Sequence, residues 1–527
     1  MKKKLISALL GVTMAAGMIT GNCSTLLADE GDGKQFSVLI TRSDWGDSDL
    51  SLEGFVAESQ EKAGVDIDWQ VYLDTEWGDK KSVVLANNDL PDAFLGALNS
   101  TDVNRNKELF IPLEDLIAEN MPNLSKIFEE NPEFKAFATA ADGHIWGLPQ
   151  KKANRPKIRY QMFINQVWLD NLGLEMPDTW EEFQNVLKAF KEQDANGNGD
   201  PNDEIPFGAG HGSAINAFIL PFQHSGDAGH DAFGTGSDTK FYFMTLEDGQ
   251  PAFLPTLEGY KEGIRWMSEC YQEGLIDQEL FTQDDSMKNA KATNDEAPLV
   301  GVANVWTPDS FFGKWAEQYV AMPALAGPDG QRAVHSMPEM GDCEPETFWI
   351  TKNCEDPASL LAWIDEFYTD DAAVQLYYGS FGVGSQKNED GTYTIITPPD
   401  GESADTWAWK TSFREAGPKY ASDDLNSRIT MELDNEGDAL KLKLAEDLVQ
   451  YVIPEFPQIS YTEEELSVLS AYYVDIETYA KTMQAQWITQ GGIDEEWDAY
   501  LEQLDMMQLG QIMDVVTQAY DRFKGED

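Results

Sequence analysis

Residues 35–42 read QFSVLITR, a short β-rich run that is followed by a loop and an amphipathic stretch at 52–63. A second β-rich run, Val65–Leu73, precedes a segment with helical spacing, and a third apolar run at 90–96 is entered through a turn. Strands that alternate with helices in this way predict a mainly parallel sheet with helices on both faces. Because ligands bind beyond the carboxyl ends of such strands, the loops after the first and third runs are candidate binding loops.

Further along the chain, strands and helices continue to alternate. A strand is predicted at 143–149, and the capping box of Thr179 and Glu182 opens a helix after Pro177. The apolar run at 299–306 is a predicted buried strand, and the last part, 461–523, is predominantly helical by its periodicity. No low-complexity linker separates independent domains, so we expect a two-lobed α/β body whose chain crosses between the lobes more than once.

The predicted first lobe comprises 34–149 and about 346–400, and the predicted second lobe comprises 150–345 and about 401–527. The basic stretch at 151–159 lies at the first of these boundaries. In so acidic a chain, such a run is more often a solvated crossover than an anion site.

The charge balance of the chain excludes several classes of partner. Its 527 residues include 93 acidic and 37 basic side chains, which gives a formal net charge of −56. A polyanion of this size repels phosphate backbones and anionic lipid head groups, so we expect no nucleic acid and no membrane surface as partners. Hydrophobic residues, at 42%, are numerous enough to form packed cores despite this charge.

The segment 1–28 reads as an export signal, with a basic start and an apolar stretch up to Thr20. Cys23 stands where a bacterial lipoprotein is acylated, although Asn22 occupies a position that normally holds Gly or Ala. An ordinary signal-peptidase site at 26–28 is the alternative. We therefore expect an extracellular protein, either anchored to the cell surface through lipid on Cys23 or secreted in soluble form.

The remaining cysteines are Cys270, Cys343 and Cys354, too few for a disulfide framework. Cys343 and Cys354 could pair, which would leave Cys270 as a buried thiol. No CxxC or Cys/His cluster occurs in the sequence, and the histidines are scattered, so no zinc site is expected.

The most distinctive local motif is the loop at 194–204, which reads DANGNGDPNDE. Oxygen-bearing side chains at alternate positions converge on one point when glycines allow a tight turn, and Ca²⁺ takes six to eight such oxygens. The spacing begins like an EF-hand loop, but position twelve is Ile205 instead of an acid. The predicted ligands of a structural calcium ion are Asp194, Asn196, Asn198, Asp200, Asp203 and Glu204. The alternative is a simple Asn/Gly/Asp-rich turn.

Several segments together resemble the bacterial extracellular solute-binding proteins of family 1, the carbohydrate-receptor branch of ABC importers, which includes maltose and alginate receptors. They occur in the family's order and span nearly the whole mature chain. They are the signal with Cys23, LPDA at 90–93, DGHIWGLP at 142–149, WLDNLGL at 168–174 with PDTWEEF at 177–183, the loop at 194–204 with DEIP at 203–206, YKEG at 260–263 with EGLID at 273–277, and DEEWDAY at 494–500.

The resemblance implies two α/β lobes joined by a hinge of two or three crossings, with a sugar held in the cleft between them. It also implies a calcium loop like that of oligosaccharide and alginate receptors, an ABC permease as partner, and a lipid anchor. The chain departs from the family pattern at Asn22 and in the calcium loop, which is one residue longer than usual.

Sugar receptors use aromatic platforms for C–H faces and planar polar groups for hydroxyls. The family pattern places a stacking tryptophan at the end of the strand that Trp306 follows here, and Asp44 and Trp45 lie just after the first strand. The full set of predicted ligand-binding residues is Asp44, Trp45, Asp92, His211, Trp306 and Tyr461. For Asp92, a role as a turn cap is an equal alternative, and core packing is the alternative for the tryptophans.

The sequence therefore predicts a monomeric binding subunit of an ABC importer that captures an oligosaccharide and breaks no bond. Closure of the lobes over the sugar would signal to the permease. Two alternatives remain. A secreted glycoside hydrolase needs two carboxyls placed across the scissile bond, which so many acids could supply. A passive surface scaffold would need no cleft.

Overall fold

A computed structural model of the protein describes residues 34–42, 54–87, 90–140, 142–158, 160–208, 210–226, 243–335, 342–399, 401–433, 437–453, 456–457, 459 and 461–525. The predicted signal segment 1–28, with Cys23, lies outside these residues, and so do Asp44 and Trp45.

The described strands lie between Lys34 and Ile453. They are β1 Lys34–Arg42, β2 Val65–Leu73, β3 Ala93–Leu95, β4 Leu148–Lys151, β5 Gln161–Asn165, β6 Ile205–Phe207, β7 Met244–Glu247, β8 Gln250–Phe253, β9 Val300–Val305, β10 Tyr319–Ala321, β11 Val334–His335, β12 Cys343–Ile350, β13 Ser385–Lys387, β14 Tyr393–Ile395, β15 Lys419–Tyr420, β16 Ile429–Met431 and β17 Val452–Ile453.

The helices lie between these strands and form the end of the chain. They are α1 Phe55–Ala63, α2 Asp74–Ala86, α3 Ser100–Arg105, α4 Glu114–Asn120, α5 Pro122–Glu130, α6 Pro132–Phe137, α7 Gln166–Leu172, α8 Trp180–Glu192, α9 His211–Ile219, α10 Glu258–Gln272, α11 Asp285–Ala292, α12 Pro308–Phe311, α13 Pro357–Asp365, α14 Asp370–Tyr378, α15 Ala404–Thr411, α16 Asp423–Ser427, α17 Gly437–Leu448, α18 Glu463–Gln490, α19 Ile493–Met506 and α20 Leu509–Lys524.

The first lobe is built on a six-stranded sheet with the order β15-β4-β12-β3-β1-β2. β1 lies parallel to both β2 and β3, whereas β12 runs antiparallel between β3 and β4. From Val38 onward β1 is buried without interruption, because helices cover both faces of the sheet. The carboxyl ends of β1 and β3 therefore share one edge of this sheet.

The second lobe is built on a four-stranded sheet with the order β10-β5-β9-β6. Its central strand β9 is buried along its whole length and lies parallel to β6. A Cβ atom on Gly301 would lie 2.6 Å from the ring of Phe190 and 2.8 Å from the ring of Trp168. Glycine at this position thus allows α7 and α8 to pack directly on the strand.

Each lobe has its own hydrophobic core. Val38, Ile350 and Trp363 belong to the core around the first sheet, whereas Trp168 and Phe207 belong to the core around the second. Two separate cores around two sheets define two lobes, which confirms the expected α/β architecture. In the described part of the chain, no helix is long and apolar enough to cross a membrane.

The chain passes between the two sheets three times within the described ranges: from β4 to β5, from β11 to β12, and after β16. The second and third of these crossings pair with each other, because β11 lies parallel to β17. Ile158 of the first crossing packs in a small cluster with Val334 and Leu448, so all three crossings contact one another.

The boundaries of the lobes differ from those expected from the sequence. β15, at Lys419–Tyr420, pairs with β4 and so extends the first sheet, although the sequence predicts that about 401–527 belongs to the second lobe. Likewise, β12 begins at Cys343 and β4 continues to Lys151. These pairings depend on contacts between distant parts of the chain, which local periodicity does not report.

The C-terminal helices complete the second lobe, as predicted for 461–523. α18 begins with a capping box formed by Thr462 and Glu465, and Ser268 of α10 donates a hydrogen bond to the carbonyl of Trp487 in α18 over 2.7 Å. Trp487 and Tyr500 are buried in the same core as Trp168. The second core is therefore assembled from residues at both ends of this lobe's sequence.

Two details of the sequence interpretation are wrong. Cys343 and Cys354 do not pair, because they are free thiols, as is Cys270, and all three are buried. The basic stretch at 151–159 is not simply solvated, since Lys152 is only 2% exposed.

Candidate ligand-binding site

In the first lobe, the carboxyl ends of β1 and β3 are covered by the segment around α15. Arg42, the last residue of β1, is buried and donates from Nη1 to the carbonyl of Ser412 over 2.6 Å and from Nη2 to that of Trp409 over 2.9 Å. Thr41 Oγ1 donates to the carbonyl of Gly96, directly after β3, over 2.8 Å. The guanidinium and the hydroxyl thus fasten α15 and the loop after β3 to the edge where ligands bind in such sheets.

In the second lobe, Trp306 directly follows β9 and is half-buried. β6 is parallel to β9, so the loop after β6 leads to the same edge, and α9 begins there at His211. Asn304 of β9 donates to the carbonyl of Ser213 over 2.8 Å, which joins the strand to this helix. The edge of the second sheet therefore presents an indole and the start of a helix together.

A buried group of charges lies where the first crossing leaves the first lobe. Lys152 Nζ is 2.8 Å from Glu344 Oε1 and also forms an ion pair with Glu415. Arg155 Nη1 is 3.4 Å from Glu415 Oε1, and Lys419 Nζ donates to Gln150 Oε1 over 2.6 Å. Each buried cation in this group has an oxygen acceptor, as burial of charge requires.

The ionisation of these groups is interdependent. Burial lowers the pKa of Lys419 to about 7, and the positive charge of Lys152 acts in the same direction, against Glu415 and Glu344. Burial alone would raise the pKa of Glu415, but Arg155, Lys152 and Arg414 hold it well below the usual range of a carboxyl. Glu415 is therefore the central anion of the group.

Trp306 joins this group of charges to the second lobe. The guanidinium carbon of Arg155 is 5.0 Å from the centroid of the Trp306 ring, and Lys441 Nζ is 4.8 Å from it. On the same helix as Lys441, Asp438 Oδ2 is 3.0 Å from Arg414 Nη2. The indole at the edge of the second sheet is thus held by side chains from the crossings.

The remaining predicted ligand-binding residues lie elsewhere. Asp92 precedes β3, at the opposite end from Gly96, and its carboxylate accepts hydrogen bonds from the backbone and hydroxyl of Ser37 over 2.7 and 2.9 Å. Tyr461 is only 6% exposed and packs in the core of the second lobe. Of the predicted set, the structure brings Trp306 and the backbone of His211 to one edge of a sheet, and it does not bring Asp92 or Tyr461 there.

The predicted calcium loop connects α8 to β6. Its backbone amides bind side-chain oxygens at alternate positions. Gly199 N donates to Asp194 Oδ2 over 2.9 Å, Asn198 N to Asn196 Oδ1 over 2.9 Å, and Asp200 N to Asn198 Oδ1 over 2.8 Å. This pattern curls the loop around the side chains at its alternate positions, as a loop that binds a cation requires.

Two oxygens in this loop have no hydrogen-bond partner although they are buried, namely Asp194 Oδ1 and Glu204 Oε2. Burial raises the pKa of Glu204. The two carboxylate oxygens of Asp203 accept hydrogen bonds from the side-chain amides of Asn196 and Asn198 over 3.0 and 2.6 Å. Unsatisfied buried carboxylate oxygens fit a hard cation, and they come from the two ends of the loop.

Carboxylates alone do not form a metal centre in this loop. Over the ranges that the structure covers, no three His, Cys, Asp or Glu side chains are arranged to hold a metal ion. A cation at this loop would therefore also need amide oxygens from Asn196 and Asn198 or from the backbone, as calcium sites accept.

Sequence reasoning missed the residues that surround Trp306. Arg155 belongs to the basic stretch that was interpreted as solvated, and Arg414, Asp438 and Lys441 stand in segments without a motif. The one available signal was the cluster of cations at 151–159 in so acidic a chain, next to a predicted boundary between lobes.

Residues 43–374 match the family model of the bacterial extracellular solute-binding proteins. The match covers more than half of the chain, so the protein belongs to this family. The members of this family bind solutes and are not enzymes, so the hydrolase interpretation is not supported.

Among individual proteins, the chain is similar to the fructooligosaccharide ABC transporter substrate-binding protein FusA of Streptococcus pneumoniae. The two are 32% identical over 483 residues, which are 88% of this chain and 86% of FusA. The structure of FusA in complex with kestose superimposes with a TM-score of 0.79 at 28% identity, covering 94% of this chain and 100% of that one. An EF-hand mutant of FusA in complex with fructo-nystose gives the same TM-score, identity and coverage.

Two further relatives belong to other bacteria. An extracellular solute-binding protein of Bifidobacterium longum subsp. infantis has a TM-score of 0.78 at 25% identity, covering 93% of this chain and 98% of that one. Lipoprotein LipO of Bacillus subtilis is 25% identical over 316 residues, which are 57% of each protein.

The buried charges around Glu415 give a prediction about stability. Replacing Glu415 by Gln removes the anion between Lys152 and Arg155, so we expect the free energy of unfolding to fall by about 3 kcal/mol at neutral pH. Because the pKa of Glu415 is lowered in the folded protein, its contribution is present at neutral pH and is lost as the pH falls below ~4. Urea unfolding followed by tryptophan fluorescence at several pH values measures both effects.

Glu446→Gln is the matched control, since Glu446 is exposed on α17. This variant should unfold like the wild type. An equal urea midpoint for Glu415→Gln and the control at neutral pH would show that the buried ion pairs contribute nothing.

Proposed function

We propose that this protein is the extracellular binding subunit of an ABC importer and that it captures an uncharged oligosaccharide of the fructooligosaccharide class between its lobes. The proposal rests chiefly on one observation: Trp306, a half-buried indole at the carboxyl edge of the second sheet, is contacted by Arg155 of the first crossing and Lys441 of the third. The similarity to FusA over most of both chains supports the ligand class and the permease partner.

The chemistry of such a ligand suits this place. The apolar C–H face of a sugar ring packs against an indole, and its hydroxyls need hydrogen-bonding groups around the rim. The edges of the two sheets supply these groups from different lobes, so a full set of contacts forms only when the lobes close. Differential affinity for the closed form then shifts the population toward the state that the permease recognises, and no bond is broken.

We expect purified protein to bind fructooligosaccharides such as kestose without altering them. Isothermal titration and thermal shift over a panel of neutral oligosaccharides should give binding to at least one member, and chromatography should recover the sugar unchanged. Trp306→Ala should weaken the affinity about tenfold to a hundredfold, because it removes the stacking surface.

Trp315→Ala is the matched control for this prediction. Trp315 is also half-buried in the second lobe and also has a lysine over its ring, with Lys314 Nζ at 5.0 Å, but it follows α12 instead of a strand. Its replacement should leave sugar affinity unchanged. Released product would favour a hydrolase, and no binding across the panel would favour a scaffold.

We also propose that the loop at 194–204 binds a structural calcium ion. The unsatisfied buried oxygens of Asp194 and Glu204 support this assignment, and Asn196, Asn198, Asp200 and Asp203 are the other proposed ligands. The similarity to FusA, for which an EF-hand mutant is described, is a second support. Bound calcium would coordinate the two carboxylate oxygens that are otherwise buried without a hydrogen-bond partner.

Calcium should raise the melting temperature of the chelator-treated protein, since an ion that binds only the folded state at a hundredfold excess over its Kd stabilises it by about 2.7 kcal/mol. Asp194→Asn should abolish most of this gain. Magnesium should substitute poorly, because it needs a near-octahedral site. The measurement is differential scanning fluorimetry with and without EGTA.

Asp66→Asn is the control for the calcium experiment, because Asp66 is exposed on β2 in the other lobe. Its calcium response should equal that of the wild type. If Asp194→Asn keeps the full calcium response, the loop is only a turn.

We further propose that the mature protein is a monomer held at the cell surface through lipid on Cys23. The family places it outside the cytoplasm, and the similarity to a lipoprotein of Bacillus subtilis supports the anchor. In a Gram-positive host, labelled palmitate should be incorporated into the wild type and not into Cys23→Ala, which should appear in the medium. Release of unlabelled wild type would favour cleavage at 26–28.

Light scattering of chain 24–527 should give the mass of one chain.

A further inference from the structure

Trp306 is contacted by two cations that come from different parts of the chain. Arg155 lies in the first crossing, and its guanidinium carbon is 5.0 Å from the ring centroid. Lys441 lies on α17, within the third crossing, and its ammonium is 4.8 Å from the same centroid. Cations at such distances are attracted to the face of an indole, most strongly when water is excluded.

Both cations are tied to the first lobe. Arg155 Nη1 is 3.4 Å from Glu415 and donates to the hydroxyl of Tyr377 over 3.1 Å. Lys441 shares its helix with Asp438, whose carboxylate pairs with Arg414 at 3.0 Å. Arg414 and Glu415 follow α15, where the carbonyl of Trp409 accepts a hydrogen bond from Arg42 at the end of β1. The indole of Trp306 belongs to the second lobe. It is contacted by two cations whose own segments are bonded to residues of the first lobe.

We propose that Lys441 and Arg155 are positioning residues for ligand binding: they hold the ring of Trp306 in one orientation and make that orientation depend on the relative placement of the lobes. This inference rests on the proposed function of Trp306 as a sugar platform. Neither cation needs to contact the ligand. Their role is to keep the indole ordered before the sugar arrives, which lowers the entropic penalty of binding.

The burial of Lys441 gives this arrangement a pH dependence. Lys441 is 0% exposed, and burial, followed by the charge of Arg155, lowers its pKa to about 7, against the opposing effect of Asp438. The ammonium is therefore present at pH 6 and largely lost by pH 8.5, which removes one of the two cations from the ring. The charged groups in and around this cluster are Arg155, Asp309, Arg414, Glu415 and Asp438.

The test compares Lys441→Met, Lys441→Arg and the wild type by isothermal titration with kestose at about pH 6 and pH 8.5. The wild type should bind more weakly at the higher pH. Lys441→Met should bind about tenfold more weakly than the wild type at pH 6 and should lose this pH dependence. Lys441→Arg, whose guanidinium stays protonated, should bind well at both pH values. Lys419 titrates in the same range but is common to all three proteins.

Lys443→Met is the matched control, because Lys443 is exposed on the same helix. It should behave like the wild type at both pH values, and urea unfolding shows whether each variant is folded. If folded Lys441→Met binds kestose like the wild type at pH 6, or keeps the wild-type pH dependence, the inference is wrong.

A second measurement needs no ligand and separates this inference from the proposed function. The fluorescence spectrum of the wild type minus that of Trp306→Phe reports on Trp306 alone. This difference should titrate with a midpoint near pH 7 in the wild-type background and should not titrate in the Lys441→Met background. If it titrates while kestose fails to bind, the positioning role stands and the proposed ligand is wrong. A flat difference in both backgrounds overturns the positioning role.

Discussion

The burial of Lys152 between Glu344 and Glu415 is the interaction on which the connection of the lobes depends. An ammonium with so little exposed surface is tolerated only when carboxylates compensate it, and here they come from β12 and from the segment after α15. The same Glu415 pairs with Arg155, which contacts Trp306. One carboxylate therefore links the first sheet, the first crossing and the indole of the second lobe.

This arrangement explains how two rigid cores can form one binding protein. Each core is apolar, whereas Trp306 of the second lobe contacts the cations Arg155 and Lys441, and Arg155 pairs with Glu415. Charged contacts of this kind are directional, so they define a limited set of relative placements instead of a continuous slide. In a family of solute-binding proteins, such a joint couples the arrangement of the crossings to Trp306.

Local signals in the sequence were sufficient to predict the helices and strands. They were insufficient to predict which distant residues contact one another. β2 has the predicted bounds, Val65–Leu73, and the segment with helical spacing that follows it is α2, which begins directly at Asp74 without a side-chain cap. The position of Trp306 at the end of a predicted strand was enough to select it as a candidate binding residue. Local signals could not reveal that Lys152 is buried, because the carboxylates that allow this burial lie far along the chain and only the fold brings them near.

The interleaving of the lobes along the sequence also governs how the chain acquires its structure. The first sheet needs β15, and the core that holds Trp168 needs Trp487 and Tyr500 from the last helices. Contacts between such remote residues give a high contact order. Neither lobe can therefore complete its folding until the ribosome has synthesised the C-terminal part. Folding is therefore a late, concerted event, and a chain shortened by its final helices would expose apolar surface that chaperones or proteases recognise.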